Sequence, residues 1–408
     1  MNESRTRKAA AGFIFLTIFL DVLGIGIVIP ILPGIVTDFA GGDESAGARW
    51  FGPLAAVYAT MQFLFSPLLG ALSDRVGRRP VLLTSMAGFG ISYLLLWWAP
   101  SIGWLFLARA VSGFTGATIT TANAYLADIS TPQTRAQNFG LVGAAFGLGF
   151  VFGPALGGVL GHVDPRLPFL GSAALVALNF AYGLFVLPES LPPERRRPFR
   201  LADANPLGTV VRLRQWPLVA GLATAFVFST LAQRGLETVW VLHASWRYGW
   251  EELENGLTLA LVGVMVAIVQ GGLIRRVVPR LGERRVILGG LVIVILGFIG
   301  YGAAPVGWVF LAIIPLASMG SMATPTMQGM LAGAVPEDEQ GAVQGALTSL
   351  LALTAIVAPL ISTGLFSFFT APGARWVLPG APFFAGALFH ALALGVAWRT
   401  LKRHGGSV

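Results

Sequence analysis

The sequence predicts an all-α membrane protein, with twelve transmembrane helices in two six-helix bundles related by pseudo-two-fold symmetry. Three observations lead there. Hydrophobic residues make up 55% of the 408 residues and charged residues 11%, where an ordinary soluble protein carries roughly 25% charged residues. So little charge cannot cover a soluble surface. Apolar runs of about 20 residues, enough to cross a ~30 Å hydrocarbon core, recur along the chain. Finally, a short charged loop occurs twice. Arg75-Val76-Gly77-Arg78-Arg79-Pro80-Val81-Leu82-Leu83 meets Arg280-Leu281-Gly282-Glu283-Arg284-Arg285-Val286-Ile287-Leu288 at an offset of 205 positions. The same offset carries Pro154 onto Pro359, Gly140 onto Gly345 and Asn123 onto Gln328. One register fitting four separate places marks a duplicated half, a common construction among secondary transporters.

In chain order the spans fall at 9–36, 51–73, 80–99, 103–127, 138–161, 167–187, 216–242, 254–277, 285–304, 306–334, 340–369 and 380–400. Span 1 is too long for a signal-peptide core and lacks a small-residue cleavage site, so it is read as retained. It carries the helix-weakening residues Gly24, Gly26, Pro30 and Pro33. Span 2 leads through the charged loop into span 3. Span 5 holds Gly140, Gly143, Gly147, Gly149, Gly153, Pro154, Gly157 and Gly158. Small residues three and four apart let helices approach closely, and Pro154 frees a carbonyl and bends the helix. Tight packing alone and a bending element for a rocking motion are the two readings. After span 6, the Pro- and Arg-rich stretch 189–215 reads as a cytoplasmic linker with a short surface helix, separating bundles 1–188 and 216–408.

Charge gives the orientation. Arg5, Arg7 and Lys8, the loop residues Arg75, Arg78 and Arg79, then Arg135, the linker arginines, the arginines from Arg275 to Arg285, and Arg399, Lys402 and Arg403 all fall in alternate loops. The opposite loops hold only Arg49, Arg166, Arg247 and Arg375. This bias places both termini in the cytoplasm; the expected location is the cell inner membrane. It also accounts for the net charge of +8 without nucleic acid. The absence of cysteine excludes disulfides, thiol catalysis and cysteine metal sites. The four histidines show no HxxxH or HExxH spacing, so no metal is expected. No GxxxxGK[ST] occurs, leaving ATP hydrolysis unsupported. The expected partners are the lipid bilayer and a small-molecule substrate, with the proton as coupling ion, no other cofactor, and a monomer as the working form.

Four ionisable residues are read as lying well inside spans: Asp21, Arg109, Arg234 and Glu237. A charge near the bilayer centre costs roughly 2.5–3.5 kcal/mol on insertion scales, so each is a functional candidate. Asp21 could exchange protons as its access to water alternates, or be a structural acid bonded to a neighbouring helix. Arg234 and Glu237 share a helix face, either neutralising each other or forming a gated pair. Arg109 has no partner in its own span and could attract an acidic group or the substrate. Gln62, Asn123, Gln233 and Gln328, with Tyr58, Phe146 and Trp240, suit an amphipathic, partly aromatic substrate; hydrogen bonding between helices is the alternative for each. Asp74 and Arg75 belong to the charged loop, where an acid can cap a neighbouring helix or pair with its arginines. Asp128 is expected to pair with Arg75, Arg78 or Arg135. Together with Gly153 and Pro154 these residues would form a gate. The second copy has Pro279 in place of Asp74, so the latch is expected to be stronger in the first half.

These motifs resemble the major facilitator superfamily. Gly70 to Arg79 is similar to its loop G-x-L-a-D-r-x-G-r-k, Arg109 with Gly113 and Gly116 to R-x-x-x-G, and Gly153-Pro154-Ala155-Leu156-Gly157-Gly158 to the antiporter motif G-P-x-x-G-G. Leu20-Asp21-Val22-Leu23-Gly24-Ile25-Gly26 through Pro30-Ile31-Leu32-Pro33 resembles span 1 of the bacterial tetracycline–proton antiporters. Met61-Gln62, Tyr125 with Asp128, Leu187-Pro188-Glu189, Asn205-Pro206, Trp240-Val241-Leu242, Gly249-Trp250, and Pro325 with Gln328-Gly329 extend the likeness over nearly the whole chain. The resemblance implies the major facilitator fold and proton-coupled efflux of a hydrophobic or amphipathic drug-like compound by alternating access. A symporter or uniporter of a sugar or organic anion is the alternative. Those antiporters carry acids in spans 3 and 9 and a histidine in span 8, for proton coupling and for metal–tetracycline. Here Ser92 and Val266 stand at the span 3 and span 8 positions, and Val286 to Ala303 of span 9 holds no charge. The departures point away from tetracycline and place the expected coupling on Asp21, Arg109, Arg234 and Glu237.

Overall fold

The computed structural model describes residues 2–116, 118–131, 133–196, 213, 215–336 and 339–404. Twelve helical segments among them are long and apolar enough to cross a membrane. Spans 1 to 6 are Ala11–Phe39, Glu44–Val76, Arg78–Trp98, Ile102–Ile129, Gln137–Val163 and Leu167–Val186. Spans 7 to 12 are Pro217–Tyr248, Glu252–Leu281, Glu283–Ala303, Gly307–Gly333, Val343–Thr370 and Ala381–Arg403. Most boundaries lie within a few residues of the sequence reading. Spans 2 and 7 run further, because hydropathy falls where lipid ends whereas a helix ends at its cap. Before span 2 the Asp43 carboxylate accepts from the Ser45 amide at 3.1 Å, and span 7 stops at Gly249, whose φ of 68° closes a left-handed cap. The short surface helix expected in the linker falls largely outside the described residues; Pro193–Arg195 forms one 3-10 turn.

The helices are broken where the sequence weakens them. Span 1 turns at Ile29, Pro30 and Ile31 before continuing as Leu32–Phe39. Span 4 breaks at Thr115-Gly116, and span 10 has a 3-10 turn at Gly320–Met322. The 205-position offset superposes Thr115 on Gly320, so these two interruptions are one feature inherited by both halves. Span 8 carries a π-helical turn at Val269–Leu273, around Gly271 and Gly272. Spans 5 and 11 continue through Pro154 and Pro359. Hydroxyls inside the spans turn back onto their own helices: Thr224, Thr326 and Ser362 donate to the carbonyls of Ala220, Met322 and Ala358, which satisfies them where lipid offers no acceptor.

Contacts gather the described residues into two compact units. Unit 1 takes those of Met1–Ile35, Val57–Asn205 and Glu251–Ala260, and unit 2 those of Val36–Ala56, Pro206–Trp250 and Leu261–Val408. Within unit 1 the closest packing is between spans 1 and 5. A methyl group at Gly153 would stand 2.7 Å from the Gly26 Cα and 2.9 Å from the Leu23 carbonyl oxygen, so glycine is required. The opposite face of span 5 meets the start of span 8, with Gly158 against Gly256. The Gly-Pro motif thus makes two helix contacts, which is the tight-packing reading of its glycines. In unit 2 the core joins Val219, Leu222 and Phe226 of span 7 to Ile287 and Leu291 of span 9, Met327 and Leu331 of span 10, and Ala393 and Ala397 of span 12.

Candidate proton-coupling and substrate site

Unit 1 concentrates its intramembrane polar groups around spans 1, 2, 3 and 4. Asp21 is 5% exposed, and neither carboxylate oxygen has a hydrogen-bond partner among the described residues. Thr118 stands beside it, its hydroxyl falling short of a regular hydrogen bond. Arg109 lays its guanidinium over the Tyr58 ring, 4.3 Å from the centroid, a cation–π contact. It forms no ion pair among the described residues, and its Nε has no acceptor. Gln62 donates to the Gly116 carbonyl at 3.2 Å and to the Tyr58 hydroxyl at 3.3 Å, tying span 2 to the break in span 4. The Asn123 Oδ1 is buried without a donor among the described residues, and Phe146 is half-buried on span 5.

The sequence reading passed over a member of this group. Tyr93 is buried at 5%, its hydroxyl lies at Gly24 of span 1, and Asp21, Tyr58 and Arg109 all act on it electrostatically. Its neighbour Ser92, at the position where the resembling antiporters have an acid, only returns its hydroxyl to the Phe89 carbonyl at 2.8 Å. A phenol in a span with no other ionisable group beyond its start was the available signal.

The charged loop of unit 1 is a closed network. The Arg78 guanidinium meets Asp74 at 2.6 Å, the Ser73 hydroxyl at 2.6 Å and Asp128 at 3.2 Å. Of the partners expected for Asp128, Arg78 is the one in place; Arg75 is exposed and forms no ion pair among the described residues, and the Arg135 side chain lies outside them. Asp74 pairs, and a different acid caps. Glu189 accepts from the Arg78 and Arg79 amides at 2.8 and 3.1 Å, and from the Ser190 and Leu191 amides at 3.0 Å each. It thereby satisfies the open amides at the start of span 3 and pins the start of the linker there. Gly77, with φ of 111°, makes the turn into that cap. In the second copy, Arg280, Glu283, Arg284 and Arg285 form no ion pair among the described residues.

Unit 2 holds its charges differently. Arg234 and Glu237 pair at 3.0 Å with side chains 52% and 47% exposed, and Gln233 reaches the same carboxylate at 3.4 Å. Gln328 is exposed. Trp240, by contrast, is enclosed at 1% exposure by Tyr301 and Phe310, with ring centroids 5.2 and 4.6 Å away. It belongs to an aromatic core at the end of spans 7, 9, 10 and 12.

The set of four ionisable residues well inside spans needs correction, because His390 lies near the middle of span 12 at 4% exposure, and His243 is enclosed at 1% near the end of span 7. His243 bonds the Pro379 carbonyl through Nδ1 at 3.1 Å, and its Nε2 has no partner among the described residues. Weighing the histidines only as metal ligands hid them as ionisable groups.

A sequence profile of the Major Facilitator Superfamily matches residues 14–282. The chain is 40% identical over 367 residues to the class C tetracycline resistance protein of Escherichia coli, covering 90% of this chain and 92% of that one. Among solved structures, it is similar to the human organic anion transporter MFSD10 (TETRAN), with a TM-score of 0.69 at 25% identity, covering 96% of this chain and 99% of that one. A bacterial homologue of the human lysosomal transporter Spinster shares the fold, with a TM-score of 0.81 at 16% identity and 97% of each chain covered.

Proposed function

Because the chain belongs to the Major Facilitator Superfamily, and is therefore a multi-pass membrane transporter and not an enzyme, we propose that it expels a hydrophobic or amphipathic drug-like compound across the cell inner membrane in exchange for protons. The working unit is a monomer with both termini in the cytoplasm, and the bundles 1–188 and 216–408 alternate access around the substrate. The observation that carries this reading is Asp21, an enclosed carboxyl in mid-span with no ion-pair partner among the described residues. Burying an unpaired charge is strongly unfavourable, so Asp21 holds a proton while enclosed and yields it when water reaches the site. Thr118, beside the carboxyl, is placed to donate to the carboxylate once it forms. The class C tetracycline resistance protein supports efflux as the direction of transport. One proton crossing 100 mV supplies about 2.3 kcal/mol; at about 1.4 kcal/mol per decade, that sustains nearly two decades of gradient for a neutral substrate.

The test is flux in proteoliposomes with an imposed pH gradient and pyranine inside, using tetracycline, ethidium and fluorescein as probes. Gradient-dependent movement of tetracycline or ethidium with proton counterflow is expected. Indifference of all three probes to the gradient contradicts the reading. A second reading has its own observation: Arg109 forms no ion pair among the described residues, and a similar solved protein is an organic anion transporter. It expects fluorescein to move in wild type and to stop in Arg109→Gln.

A further inference from the structure

His390 has no role in the site described so far. It lies near the middle of span 12, 4% exposed, and neither imidazole nitrogen has a protein partner among the described residues. Its ring stands edge-on to Phe298 of span 9, with centroids 4.8 Å apart. Around Phe298 lie Ala232, Leu236, Val294, Ile295, Ala387 and Phe389, all hydrocarbon. An imidazole always carries at least one N–H, and leaving a buried donor unmade costs about 1–3 kcal/mol. Two idle nitrogens in a hydrocarbon setting call for a reason, and an ionisable group inside a span is by default a functional one.

The repeat supplies the reason. At the 205-position offset Phe298 is the counterpart of Tyr93. In unit 1 the ring of span 3 neighbours Asp21, the titratable group of span 1. In unit 2 the equivalent ring of span 9 neighbours His390, while the counterpart of Asp21 is Phe226, buried at 2%. We infer that His390 is a proton-binding group of unit 2, neutral while enclosed and protonated when spans 9 and 12 separate enough to admit water. Its part in transport rests on the proton-exchange reading above.

The helices packed on span 12 leave the imidazole without a charged neighbour. Span 7 contributes Arg234 and Glu237, which pair with each other on an exposed face, and His243, Arg247 and Tyr248 near its end. Of these, His243 contacts span 12, at Phe383, seven residues and about 10 Å along the helix from His390. Span 9 contributes Tyr301, which also faces Phe383, and Glu283, Arg284 and Arg285 at its exposed start. Span 11 has no titratable residue. His390 therefore exchanges its proton with water and not with a fixed carboxylate, and spans 9 and 12 control that access.

The experiment is imidazole ¹⁵N NMR of the full chain in lipid nanodiscs, with the His390 signal assigned by its loss in His390→Gln. Alongside it, gradient-driven flux and gradient-free counterflow are measured for His390→Gln and for the ring-conserving His390→Tyr. The expected result is a His390 signal that titrates between about pH 5 and 8. Both variants should keep counterflow while losing about tenfold in gradient-driven accumulation, equivalent to about 1.4 kcal/mol. A His390 signal that stays neutral throughout overturns the inference. A signal that titrates, beside variants with wild-type gradient-driven flux, overturns its part in transport. Wild-type protein that ignores the gradient refutes proton exchange and the transport role together, and is told apart by the titration, which reads proton binding alone.

Discussion

The two halves share a backbone plan and differ in what they place on it. At one offset Asp21 falls on Phe226, Tyr93 on Phe298 and Arg109 on Ile314. The first member of each pair belongs to the polar cluster of unit 1; the second members are 2%, 2% and 0% exposed and apolar. The breaks at Thr115 and Gly320 coincide and belong to the fold. The turn at Pro30 falls on Gly235, inside an unbroken span 7, and belongs to the first half alone. Duplication therefore preserved helix placement while the chemistry diverged, and a residue's role has to be read from its own surroundings.

The largest effect on stability should come from the glycine contact that only unit 1 makes. Gly153→Ala presses a methyl onto the Gly26 backbone and should destabilise the protein by about 1–3 kcal/mol. The second half carries Ala358 at the same place, and Ala358→Gly should cost only about 0.5–1 kcal/mol, through helix propensity. Thermal denaturation of both variants in detergent compares them; equal losses would break the contrast.

The charged loops come next. Glu189→Gln weakens a carboxylate cap on four amides and should cost about 1–2 kcal/mol. Glu283→Gln, in a copy without ion pairs among the described residues, should shift the melting temperature little. A smaller effect is expected at the exposed pair. Glu237→Gln removes an interaction of about 0.2–1 kcal/mol, so gradient-driven flux should fall no more than about fivefold. Complete loss of flux would move the coupling group from Asp21 to Glu237.

Much of the fold was legible in the sequence because lipid restricts the options: a run that cannot expose backbone must be a helix. Helix ends were legible only where caps were weighed, so Asp43 and Gly249 extended spans 2 and 7 beyond their apolar cores. Within the site, charge was visible and proximity was not. Asp21 and Arg109 stood out as charges in apolar runs. Tyr93 acquires meaning only when its hydroxyl reaches Gly24 of span 1, and Glu189 only when the start of the linker folds back on span 3. His390 is in plain view, but metal-ligand spacing passes over a lone histidine, and only its enclosure among hydrocarbon side chains marks it as a candidate proton site.

The central claim is that proton coupling in the first half runs through Asp21. Its most direct test is gradient-driven transport by Asp21→Asn beside gradient-free counterflow, in the same proteoliposomes and with whichever probe the wild type moves. The account predicts that counterflow survives within about twofold while gradient-driven accumulation falls by one to two decades, most of the roughly 2.3 kcal/mol that a proton supplies at 100 mV. Wild-type accumulation by Asp21→Asn would contradict it.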